Sequence, residues 1–158
     1  MADEQKKRRG AVEMGPTAAT VAANVRRLRD DVRGWSTYEL SGKLAKAGRP
    51  IAPSAVAKIE RGERQVTVDD LVALAVALGV NASALLLPVK VEPADGVEVT
   101  GYGAVSADEA WNWADGRSPL LRTDASGLAA GRARYEAELR FKEGRPHWLE
   151  DDAEGGDG

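Results

Sequence analysis

The chain has 158 residues, 30% of them charged, with one histidine, no cysteine and a formal net charge of −3. That length suits one ordinary domain or a small domain with an extension, and the lack of cysteine excludes a disulfide framework and any thiolate metal site. No run approaches the roughly 20 apolar residues of a membrane helix, and the opening MADEQKKRRGAVEMG has no apolar stretch of the kind a secretory signal needs.

The charge is unevenly spread. Residues 1–88 hold 14 Lys+Arg against 10 Asp+Glu, whereas residues 89–158 hold 8 against 15. A basic front half points to a polyanionic partner for that half. The abundance of Ala, Gly, Val, Arg and Asp, with Ile51 and Ile59 the only isoleucines, is the bias of a GC-rich bacterial or phage genome.

Residues 1–17 lack periodicity and read as a disordered basic arm carrying Lys6, Lys7, Arg8 and Arg9. A first helix is expected from about Thr20 to Arg33, with Val21, Val25, Leu28 and Val32 at helical spacing and Gly34 as its stop. Ser36 is an N-cap with Glu39 in the capping-box position, and Trp35 with Leu40 forms a hydrophobic staple. This second helix buries Leu40 and Leu44 and runs to about Ala47. Pro53 suits the first turn of a third helix, where its missing N–H costs nothing. Val56 and Ile59 form that helix's apolar edge, and Gly62 ends it. Glu60 reads as a structural residue that pairs with a neighbouring helix.

Thr67 and Asp70 repeat the capping box, and Val66 and Leu71 repeat the staple. A fourth helix with Leu71, Leu74, Val76 and Leu78 as its apolar residues stops at Gly79. Asn81 caps a short fifth helix, ASALLL, which ends at Pro88. The alternation of Val89 and Val91, then Val97 and Val99, around Pro93-Ala94-Asp95-Gly96 reads as a β-hairpin. Ser106 and Glu109 open another helix, which Gly116 stops. A last helix spans GLAAGRARYEAELRFKEG, with Leu128, Tyr135 and Leu139 on one side. Residues 149–158 read as a disordered acidic tail.

Two short helices joined by a turn and braced by three others suit major-groove reading, the first lying across the phosphates and the second entering the groove. The runs STYELSGKLA, PSAVAKIERGER and TVDDLVALAVALGVNASALL make residues 20–88 resemble the lambda-repressor-like, Xre-type helix-turn-helix family. The turn KAGRPIAP is longer than is usual there. The expected fold is mainly α: the resemblance implies a five-helix DNA-binding domain over 18–88, and the residues after it read as a small α/β extension over 89–148, a hairpin plus two helices, that serves self-association or partner binding. It further implies that the first turn of the third helix meets base edges through Pro53, Ser54 and Ala55 and, one turn on, Lys58. Ser54 suits several bases, Ala55 a thymine methyl, and Lys58 a guanine or a phosphate. Thr37, with the N–H groups that open the second helix, is placed for a phosphate. Arg61, Arg64 and Gln65 are placed for the backbone, and the basic arm for the minor groove or non-specific attraction. No Arg, Asn or Gln stands in the reading turn to make a bidentate base contact, so direct readout is thin.

The expected partner is double-stranded DNA, bound by a homodimer at an inverted repeat. The expected role is a cytoplasmic, nucleoid-associated transcriptional regulator, a repressor, with no cofactor and no metal. The rival is a protein-interaction module such as an antitoxin, whose extension binds another protein. Of Trp111 and Trp113, which cannot share one helical face, one is expected in the core against the hairpin and the other at a partner interface. His147 stands without a second ligand, and Asp30-Asp31 and Asp69-Asp70 are neighbours on different faces, so none suggests catalysis. GYGAVS lacks the spacing of a phosphate loop. Nothing argues for an enzyme.

Overall fold

The computed structural model describes residues 14–121 and 127–146. The arm residues Lys6, Lys7, Arg8 and Arg9, the histidine His147 and the acidic tail lie outside the described residues. Five helices come first: α1 (Pro16–Arg27), α2 (Thr37–Lys46), α3 (Pro53–Glu60), α4 (Val68–Leu78) and α5 (Ser83–Leu86). A hairpin follows, β1 (Gly96–Val99) and β2 (Gly103–Ser106), then α6 (Ala107–Ala114) and α7 (Gly127–Glu143).

α1 begins at Pro16, four residues before the expected Thr20, because Pro16 takes the first helical position. Its end also departs from the expectation. Residues Leu28–Val32 form one wide π turn, in which the Arg33 N–H donates to the Leu28 carbonyl five residues back. The wider turn breaks the α periodicity. Val32, expected on the core face with Leu28, is 55% exposed, and Arg29 turns inward instead.

The next starts follow their caps. Ser36 and Glu39 close a full capping box on α2, and Thr67 and Asp70 do the same on α4. Gly79 ends α4 at φ +66°, a left-handed conformation that suits glycine. In the long turn between α2 and α3, Ile51 is buried and its carbonyl accepts from Ser41 Oγ at 2.6 Å, so the extra residues are anchored to the core. Leu40, Leu44, Val56, Ile59, Leu74 and Leu85 meet in one apolar cluster, on which Trp35, Val66 and Leu71 pack from its rim. On α4 the expectation for Val76 fails. It is 66% exposed, in a row with exposed Val72 and Val68 four and eight residues earlier, because the core takes the Leu74, Ala75 and Leu78 side of the helix.

Two buried polar groups tie this bundle together across the sequence. Asn24 Nδ2 donates to the carbonyls of Leu85 and Leu87, at 3.1 and 2.8 Å, which fastens α1 to α5. Arg29 spans to Glu60 at the end of α3, with Nε 2.6 Å and Nη2 3.0 Å from the two carboxylate oxygens. Glu60 is therefore the structural partner expected of it.

The hairpin is shifted from its expected register. Val89 and Val91 are not in a strand; β1 pairs antiparallel with β2, Val97 opposite Val105 and Val99 opposite Gly103. The reversal falls at Thr100–Tyr102, where Gly101 and the flanking Gly103 take φ of +84° and +101°. GYGAVS is thus turn and strand. Pro93-Ala94-Asp95 does turn the chain, but it docks on α6: the Ala107 N–H donates to the Asp95 carbonyl and the Asp108 N–H to the Pro93 carbonyl. Leu87, Val97, Val99, Ala107 and Ala110 form a second, smaller apolar cluster. Thr17 and Thr100 exchange N–H to hydroxyl bonds of 3.2 and 3.0 Å, joining the start of α1 to the hairpin.

Candidate nucleic-acid interface

α3 has one locked face and one open face. Val56 and Ile59 are 0% and 1% exposed, whereas Ser54, Lys58 and Arg61, just past the helix, are exposed at four- and three-residue spacing. Pro53 and Ala55 are half-buried, and Ala55 packs on the apolar cluster, so its methyl is drawn partly inward. Lys58 forms no ion pair among the described residues.

The cations beyond α3 are already engaged. Arg61 meets Glu63 in a two-pronged pair, 2.8 Å on each prong, with both side chains about half exposed. That hydrogen bond holds the Glu63 carboxyl below its ordinary range. Arg64 lies 3.1 Å from Asp70 Oδ2, and Arg49 reaches Oδ1 of the same carboxylate at 2.8 Å. The Asp70 side chain is fully buried. Burial alone would raise its pKa, but the Arg49 hydrogen bond, the Thr67 N–H and the charges of both arginines outweigh it, and the net shift is downward. Arg64 thus anchors the start of α4. Gln65 is exposed in the loop between α3 and α4.

At the start of α2, Thr37 is half-buried in the first turn. The Glu39 carboxylate accepts from the Ser36 N–H at 2.7 Å, which lowers the Glu39 pKa, so this helix terminus brings its own anion. Tyr38 beside it is 76% exposed and carries a phenol able to donate to a phosphate; nothing in its spacing singled it out. Arg33 is withdrawn to the Leu78 carbonyl at 2.7 Å, and Lys43 Nζ stands 4.2 Å from the Trp35 ring centroid.

The root of the arm lies beside the end of α3. A Cβ on Gly62 would collide with the Met14 side chain, and Gly62 itself takes φ +72°, so the chain before α1 packs against the residue that stops α3.

Trp111 and Trp113 differ in exposure. Trp111 packs in the second cluster and donates Nε1 to the Pro88 carbonyl at 3.0 Å, while Trp113 is 39% exposed. Among the described residues, no group of three or more His, Asp and Glu is placed to hold a metal ion, and no helix is long and apolar enough to cross a membrane.

The family model described as helix-turn-helix matches residues 38–85, which run from the first turn of α2 into α5. No match was found among curated proteins or among solved structures. The matched segment is thus similar to the lambda-repressor/Xre-type helix-turn-helix, a DNA-binding domain of transcription regulators.

Proposed function

We propose that this chain, with a helix-turn-helix over residues 38–85, is a sequence-specific DNA-binding repressor that acts in the cytoplasm on the nucleoid. The observation that carries the reading is the division of α3 into a face locked by Val56 and Ile59 and an open row of Ser54, Lys58 and Arg61. In the groove, Ser54 and Lys58 meet base edges and Ala55 and Pro53 fit closely beside them. Thr37 and Gln65 meet phosphates on either side. Arg61 exchanges Glu63 for a phosphate on binding, and Arg64 extends from its Asp70 anchor toward the backbone. The arm bearing Lys6, Lys7, Arg8 and Arg9 adds non-specific attraction to the phosphates.

Such a site binds DNA with little direct readout, so DNA shape and a two-fold arrangement of two copies supply the rest of the specificity. A dimer would read half-sites about one helical turn apart. A second reading, in which the residues after 88 dock a different protein, is favoured by one observation, the exposure of Trp113.

The test is selection from a random-site DNA library at fixed salt, with the wild type beside a Ser54→Arg, Lys58→Ala double variant. The expected result is one enriched motif for the wild type and a lost or altered motif for the variant. A wild type that enriches nothing, and binds only with a steep salt dependence, overturns sequence-specific regulation and leaves general DNA binding or protein docking in its place.

A further inference from the structure

α7 is the longest helix among the described residues, and none of its residues belongs to either apolar cluster. Yet Leu128, Tyr135 and Leu139 are 97%, 62% and 44% exposed. At about 100° per residue, Leu128 and Leu139 lie about 20° and 40° from Tyr135 around the helix, on one side of it. An apolar stripe on a surface helix ordinarily faces a core, and a helix of this length is marginal in water without one.

The charges that border the stripe identify what covers it. One edge carries Arg132 and, farther round, Glu136; the other carries Glu138 and, farther round, Arg134. When two copies pair antiparallel about a two-fold axis at Tyr135, each edge faces the same edge of the other copy, run backward. Arg132 then meets Glu136 of the second copy, and Arg134 meets its Glu138. Leu128 falls against the second copy's Leu139, and the two Tyr135 rings meet at the axis. In a parallel, in-register pair the edges are exchanged: Arg132 would face Arg134 and Glu136 would face Glu138, both like-charge contacts, against one opposite contact, Glu136 with Arg134. Opposite contacts outnumber like ones in the antiparallel pair, where only Glu136 and Arg134 also approach their own counterparts, and the reverse holds in the parallel pair.

We propose that α7 is a self-association element, two copies pairing antiparallel through Leu128, Tyr135 and Leu139 with Arg132, Arg134, Glu136 and Glu138 as the flanking charges. Within one copy Glu136 already meets Arg132 at 3.1 Å and Arg140 at 4.0 Å. Those exposed contacts are weak, so the carboxylate shares itself with a second arginine at little cost. The contact face of one helix falls short of the ~800 Å² per partner of a standard interface. Association by this route is therefore concentration-dependent in solution and becomes strong when DNA holds two copies side by side. The proposal deepens the dimeric reading of the regulator, but it is tested without DNA, so its failure and the failure of operator recognition are separate results.

The experiment is sedimentation equilibrium of the full chain over a wide concentration range. It compares the wild type, a Glu136→Arg, Glu138→Arg variant, a Arg132→Glu, Arg134→Glu variant and an equimolar mixture of the two. Arg and Glu are both good helix formers, so circular dichroism should be unchanged. The expected outcome is a wild type whose mass rises toward that of a dimer, two variants that stay monomeric, and a mixture that regains the dimer. A wild type that is monomeric throughout, variants that associate like the wild type, or a mixture that stays monomeric would each overturn the proposal.

Discussion

α4 and α7 each carry leucines along one side, and the fates of those sides are opposite. α4 starts on a complete capping box, ends on a left-handed glycine and sends Leu74 and Leu78 into a core that four other helices share. α7 sends nothing into either cluster and leaves its apolar side in water. The first is a finished element within one copy of the chain. The second has the composition of an interface and needs something laid against it. The contrast teaches that amphipathic spacing predicts a helix and a side, but it does not predict whether that side's partner lies in the same chain.

The comparison can be broken at its strongest joint. Glu60→Ala leaves the Arg29 guanidinium in a site where its side chain is 10% exposed, without its carboxylate. Removing one partner of a buried pair should lower the stability of the helical bundle by about 3–5 kcal/mol, read as a shift of the denaturant midpoint. Asp70→Asn keeps the capping shape but removes the charge that Arg49 and Arg64 share. A loss of about 1.5–3 kcal/mol is expected by the same measurement.

The pH dependence of that second variant sharpens the point. The folded-state pKa of Asp70 is depressed. Its contribution is therefore fully present above the unfolded value, near 3.9, and is lost as pH falls through the lower folded value. The wild type should lose stability below about pH 4 more steeply than Asp70→Asn, and equal slopes in acid denaturation would contradict this role.

Smaller effects are expected at the open face of α3. Lys58→Ala should weaken binding to the selected DNA by about 1 kcal/mol, with no change in the thermal midpoint. Glu63→Ala should strengthen DNA binding and steepen its salt dependence by about one ion, because Arg61 is released to a phosphate; a titration at several salt concentrations reads both. The smallest effect on folding is expected at α7. Leu128→Ala should change the stability of the helical bundle by less than about 0.5 kcal/mol while reducing self-association. A large loss of stability there would mean that α7 is covered within its own chain.

The local chemistry of this protein was readable residue by residue. Ser36 with Glu39, Thr67 with Asp70 and the stop at Gly79 act over three or four residues, so spacing alone located the ends of α2 and α4. The helix-turn-helix segment was legible for the same reason, since its runs lie within short stretches of chain. The alternation of Val97 and Val99 correctly marked a strand. It did not say which neighbour the strand would take; pairing forward with Gly103–Ser106, not back with Val89 and Val91, depends on the Thr100–Tyr102 reversal and on the docking of Asp95 against α6.

What spacing could not reach were groups whose partners lie far along the chain. A π turn aims Arg29 at Glu60, 31 positions away. Asn24 meets the carbonyls that end α5, 61 and 63 positions away. Arg61 and Arg64 were legible as cations, but the carboxylates that already hold them, Glu63 and Asp70, emerged only when the loop between α3 and α4 was in place. Caps and stops are decided by atoms a turn apart, and the chain's own covalent geometry brings them together. Buried ion pairs and the occupant of an exposed face are decided by which surfaces the folded chain brings into contact, and no short window of residues contains that information.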